Sequence, residues 1–158
     1  MTAKIVVTAA VFAALHAISA APPRAVRPDP RLTPGAATNA TTADVCRPGY
    51  ARQARSVPAS LKRQALAEYG IVPLPGERFE IDHLVPLELG GANTLANLWP
   101  QPYAGAWTAG EKDRLENALH REVCAGQEPL SDAQQEIRAD WIGAYTRRCG
   151  AGGHLYGY

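Results

Sequence analysis

Residues 79–101 read FEIDHLVPLELGGANTLANLWPQ, and few folds accept such a segment. Phe79 and Ile81 alternate with the polar Glu80 and Asp82, the period-two pattern of a short strand. Pro86 has no N–H to give to a ladder, and Gly90-Gly91 is a hairpin turn signal. A sheet built here is one short hairpin, so the rest of the core falls to helices.

Three helices are legible around that hairpin. Ser60 to Tyr69 places Leu61, Ala65, Leu66 and Tyr69 at helical spacing, with Gly70 as a C-terminal stop. Thr108 with Glu111 forms a capping box, and Leu115, Leu119 and Val123 make the apolar stripe behind it, to about Cys124. Ser131 with Gln134 reads as a second capping box, opening a helix in which Ile137, Trp141 and Tyr145 share a face and which ends near Arg148. The spacing predicts that these last two helices, joined by a short loop, pack antiparallel.

The chain has 158 residues, room for one domain. Residues 1–20, MTAKIVVTAAVFAALHAISA, carry Lys4 as their only charge, an apolar run from Ile5 to Ile18, and small residues at the end. This is a signal-peptide pattern with cleavage after Ala20, too short to anchor the chain stably in a bilayer. Residues 21–44 carry five Pro and almost no large apolar side chain, and read as a disordered linker. The domain then spans residues 45–148, and residues 149–158 form a loose Gly-rich tail.

Sixteen Lys and Arg stand against fifteen Asp and Glu, and loss of Lys4 with the signal leaves fifteen of each. Net charge therefore says nothing for a nucleic-acid partner. Its distribution is uneven, however: residues 21–63 hold eight basic and two acidic side chains, residues 64–158 seven and thirteen. Arg47, Arg52, Arg55, Lys62 and Arg63 could form a local basic patch or a plain solvated surface.

An exported chain can keep disulfides, and three cysteines leave one over. In a straight antiparallel pair, Cys124 near the loop and Cys149 at the far end would lie roughly 25 Å apart at ~1.5 Å of rise per residue. A bridge needs Cα atoms within about 7 Å. Cys46–Cys124 is the expected pair.

The polar residues of the hairpin suggest chemistry. A His at a strand end can deprotonate water because its pKa is near neutrality. A neighbouring carboxylate can hold a hard divalent cation. Adjacent strand residues face opposite ways, so Asp82 and His83 share one site only where the strand turns irregular. They could instead be a turn-stabilising pair.

This segment resembles the HNH nuclease superfamily, whose ββα-metal motif reads Asp-His-(Ile/Leu)-x-Pro, then Gly-Gly, then Asn-Leu. More narrowly, VCRPGYAR, YGI, EIDHLVPLELGG, NLWPQP, KDRLEN, VCAG and AQQEIRADW look like a family of small exported bacterial HNH-like proteins, over about residues 45–146. The resemblance implies an α+β fold, mainly helical, with a small ββα-metal hairpin core. It implies that His83 is the general base, Asp82 a metal ligand, and Asn97 the amide that ties the loop between the second strand and the helix and so orients His83. It also implies a divalent metal, Mg²⁺ first, with Mn²⁺ or Zn²⁺ as alternatives. The second metal ligand departs from the pattern: no His or Asn lies between Trp99 and Glu116, and Thr108, Glu111, Asp113 and Glu116 are the candidates. Lys112, Arg52 and Arg55 are candidate contacts to nucleic acid. The implied function is an exported, metal-dependent endonuclease acting on DNA or RNA. The alternative is a non-catalytic HNH-derived binding or structural module of the cell envelope.

Overall fold

The computed structural model describes residues 27–72, 79–103 and 107–150, together with Pro75. The signal-peptide reading and the tail beyond Gly150 lie outside these residues. Among them, five α-helices surround one antiparallel hairpin, an α+β fold. The helices are α1 (Thr42–Val45), α2 (Tyr50–Ala54), α3 (Ala59–Glu68), α4 (Ala109–Cys124) and α5 (Leu130–Cys149). The strands are β1 (Phe79–His83) and β2 (Leu98–Pro102). Asp82 pairs with Trp99 and His83 with Leu98. Pro100 and Pro102 are tolerated in β2 because that strand has a single partner.

Gly90-Gly91 is not a two-residue hairpin turn. Residues 84–97 form a folded crossing with two 3-10 turns, Leu87–Leu89 and Leu95–Asn97. Gly90 adopts a positive φ of 77° at the end of the first turn, where L side chains are strained. Gly91 lies so close to the chain that a Cβ would sit 1.8 Å from the Val85 carbonyl oxygen. The glycines are needed for a compact loop, which the short-turn reading underestimated.

The linker reading is corrected from Arg27 onward. Gly35 and Ala36 donate their N–H groups to the Ala96 carbonyl, Thr38 to Gly90, and Ala92 to Ala36. The Thr33 hydroxyl, buried, donates to the Leu98 carbonyl at 3.0 Å. A segment poor in apolar side chains is thus ordered through its backbone, which completes the hydrogen bonds of the hairpin loop.

The core gathers Val85, Leu89 and Trp99 from the hairpin, the α4 stripe Leu115, Leu119 and Val123, and Ile137, Trp141 and Tyr145 from α5. Trp107 stands edge-on to Trp141 and Tyr145, with centroids 6.1 and 5.6 Å away. The capping box opening α4 is present: Thr108 N donates to Glu111 Oε2 at 2.8 Å. The second box is not. Pro129 caps α5, Ser131 bonds Asp132, and Gln134 donates to the Leu89 carbonyl.

Cys46 and Cys124 are bridged, with Cα atoms 5.5 Å apart, and Cys149 is free and exposed. The pairing matches expectation, but its reason does not. Asp140 has non-helical dihedrals (φ −162°, ψ 83°) and breaks α5. Past the break the helix turns back, so that Arg148 pairs with Glu122 near the end of α4, with Glu128 at 2.8 Å, and with Glu136 in its own first half. Cys149 is not held a full helix length away from the end of α4, and the straight antiparallel pair is replaced by a bent one.

Candidate functional site

The two faces of β1 present two different environments. On one, Asn97 is wholly buried and closes the loop: its Oδ1 accepts from Val85 N at 2.8 Å, and its Nδ2 donates to the carbonyls of Val85 (2.9 Å) and Ala92 (3.1 Å). The loop it ties is the crossing between β1 and β2, not the loop between the second strand and the helix that the resemblance implied. The loop so fixed carries Asn93 to His83, where Asn93 Oδ1 lies 2.9 Å from His83 Nε2. Asn93 Nδ2 meanwhile donates to the Ala54 carbonyl at 2.7 Å.

That second bond decides the tautomer of His83. A backbone carbonyl only accepts, so the Asn93 amide must point its NH₂ at Ala54 and its oxygen at the imidazole. His83 Nε2 then carries the hydrogen, and in the neutral ring the lone pair is on Nδ1. Burial lowers the His83 pKa from its ordinary 6.5, with Asn93 and Asp82 opposing and Lys112 and Arg55 assisting. The ring is neutral at physiological pH and is 4% exposed as a residue.

On the other face, Asp82 meets α4. Lys112 is 0% exposed, and three oxygens surround its ammonium: Asp82 Oδ2 at 2.7 Å, the His83 carbonyl at 2.6 Å, and Glu116 Oε1 one helical turn on. Desolvation would lower the Lys112 pKa, but the two carboxylates outweigh it and raise it. Burial pushes the Glu116 carboxyl up to about 8, against the pull of Lys112. With Glu116 holding a proton, one ammonium faces one carboxylate, so the buried group is neutral as a unit.

The candidate residues therefore separate. Asp82 and His83 are neighbours in a regular strand whose side chains engage different partners. Thr108 and Glu111 are consumed by the helix cap, and Glu111 also pairs with Arg114 at 3.0 Å. Asp113 is exposed, and burial and the Asp82 charge push its carboxyl up. Glu116 reaches the Asp82 group, through Lys112. Lys112, expected to touch phosphate, is buried and reaches no ligand surface. Arg52 and Arg55 are exposed at α2, and Arg55 lends positive field to His83, Glu80 and Asp113. Asn93 is a functional residue absent from the sequence-based candidates: the partner of His83 lies just past Gly90-Gly91, after Ala92, and not downstream of Trp99.

A hard divalent cation needs carboxylate oxygens free to ligate it. Asp82 and Glu116 already hold an ammonium between them, so these residues do not fit a divalent ion at Asp82. Elsewhere, the ligand atoms of Cys46, His120 and Cys124 lie within 4.8 Å of one another and could hold a metal ion. Thiolates are the ligands in such sets, so this one is open only when the bridge is reduced. His120 Nε2 otherwise faces the Val45 carbonyl at 3.1 Å. Among the described residues no helix is long and apolar enough to cross a membrane. No family model, curated protein or solved structure matches the chain.

Proposed function

We propose that this chain is an exported HNH-type hydrolase of nucleic-acid phosphodiesters, with His83 as its general base. The observation that carries the reading is the bond from His83 to Asn93, because it leaves Nδ1 as the basic nitrogen of a neutral ring. In this reading water gives a proton to Nδ1 and its oxygen adds to phosphorus. The bond to the leaving sugar oxygen breaks, and that oxygen takes a proton from solvent. Asn97 acts at one remove, fixing the loop that carries Asn93. Arg52 and Arg55 are the exposed cations for the phosphate backbone. Mg²⁺ at Asp82, expected from the resemblance, has no part in the step. The disulfide agrees with an oxidising destination.

Incubation of the purified chain with plasmid and with RNA, in EDTA and in Mg²⁺ or Mn²⁺, tests the proposal. Cleavage should fall by about 10²–10⁴-fold in His83→Ala, the usual contribution of a general base. Cleavage unchanged by that substitution would remove His83 from the chemistry. A second reading, a non-catalytic module binding nucleic acid through Arg52 and Arg55, draws on the burial of His83. Retention of nucleic acid without cleavage under any of these conditions would favour it.

A further inference from the structure

The position opposite Asp82 is built for a cation, and the chain supplies that cation itself. Lys112 comes from α4, Asp82 and the His83 carbonyl from β1, and Glu116 from the next turn of α4. The ammonium donates to the His83 carbonyl at 2.6 Å and to Glu116, and Asp82 Oδ2 stands 2.7 Å away as its ion-pair partner. None of the Lys112 surface reaches solvent. An ion of like charge cannot enter without expelling it.

We infer that Lys112 is the resident cation of this site, standing where the HNH resemblance would put a divalent metal, and that it makes the site independent of such a metal. The ammonium neutralises Asp82 and anchors the backbone of His83 through its carbonyl. Lys112 touches neither substrate nor the reacting atoms; it is a positioning residue for His83. Its effect on catalysis rests on the proposed hydrolase reading, but its occupation of the cation seat does not.

The test measures cation binding apart from cleavage. The free Mn²⁺ signal in electron paramagnetic resonance is followed on titration into wild type, Asp82→Asn, Lys112→Met, and Lys112→Met with Asp82→Asn. Methionine keeps most of the apolar stem while removing the charge. Wild type should leave Mn²⁺ free, and EDTA should not move its melting temperature. Lys112→Met should gain Mn²⁺ binding and be stabilised by the ion, and Asp82→Asn should abolish that gain. In the same variant without Mn²⁺, the ¹⁵N shifts and titration of the His83 imidazole should move, and Mn²⁺ should reverse the loss of stability. Wild type that binds Mn²⁺ and loses it in Asp82→Asn overturns the inference, even if Lys112→Met does not fold. So does a folded Lys112→Met that takes up no ion. A wild type that cleaves nothing yet excludes Mn²⁺ removes the hydrolase reading and leaves the resident cation standing. Cleavage that needs Mg²⁺ through Asp82 does the reverse.

Discussion

Adjacent residues of one strand are held in opposite ways. His83 sits among neutral amides: Asn93 orients the ring, and Asn97 holds the loop that brings Asn93 there. Asp82 sits among charges, against a buried lysine and the glutamate beyond it. The first arrangement fixes direction, because amide donors and acceptors have set geometries and one misplaced hydrogen would break it. The second fixes charge, because a lone buried carboxylate or ammonium is costly and the group is stable only when complete. Removing one member should therefore have different consequences on the two faces.

The largest effect is expected from Lys112→Ala. It leaves Asp82 and Glu116 facing each other without their cation, and breaking a buried pair in this way costs about 3–5 kcal/mol. Chemical denaturation should show that loss, and the double variant with Asp82→Asn should recover part of it by removing the stranded carboxylate. If Lys112→Ala costs no more than an exposed substitution, the charged face is not a coupled unit. Asn97→Ala should come next, at about 2–4 kcal/mol, since unsatisfied buried backbone groups cost ~1–3 kcal/mol each and the substitution orphans Val85 N and its carbonyl. Here no second substitution should rescue, because what is lost is geometry rather than charge balance.

Much of this was legible in the chain. Alternation located β1, the Thr108–Glu111 box located the start of α4, and its stripe gave the core residues Leu115, Leu119 and Val123. The resemblance singled out Asn97 as a loop-tying amide, but the loop it ties precedes the second strand rather than following it. Lys112 was misread as a surface cation because charge suggests solvent. Yet its spacing carried a signal: three, seven and eleven residues before Leu115, Leu119 and Val123, it lies on the buried stripe, and only paired acids can keep a lysine there. The break at Asp140 had no such signal. Ile137, Trp141 and Tyr145 fit one continuous helix face, and the bend depends on tertiary contacts, among them Arg148 with Glu122, Glu128 and Glu136. The order of residues 27–41 was equally hidden, since hydrogen bonds to the loop of another element leave no mark on composition.

A smaller effect should follow Asn93→Ala. It removes the acceptor of His83 Nε2 and the donor to Ala54 while leaving the Asn97 bonds intact, at about 1–3 kcal/mol for the orphaned groups. Its more telling readout is the tautomer: ¹⁵N shifts should change from a ring protonated on Nε2 to a mixture. An unaltered spectrum would mean that something other than Asn93 holds the imidazole, and the neutral face would lose its directing role.

The smallest effect, and the one that separates the faces by sign, is the dependence of stability on pH. Glu116 is raised from 4.5 to about 8 in the folded chain. Between those values the folded state keeps a proton that the unfolded state has lost, so this group's stabilisation is complete below pH 4.5 and disappears as pH rises through about 8. His83 is lowered from 6.5. Below that value the unfolded state takes up a proton the folded ring resists, so its contribution is present above pH 6.5 and is lost on acidification. Lys112, raised from 10.5, stays charged in both states throughout this window. The two contributions oppose each other on the acid side, and between pH 6.5 and 8 the decline from Glu116 stands alone. Glu80, Glu88 and Asp113 are also pushed up by burial and act with the same sign as Glu116, so the variant rather than the raw profile is decisive. Glu116→Gln should flatten the decline above pH 6.5 in denaturation midpoints, and His83→Gln should flatten the loss at lower pH instead. Identical profiles for the two variants would mean that the faces titrate as one site, and the division between a directing face and a charge-balancing face would fail.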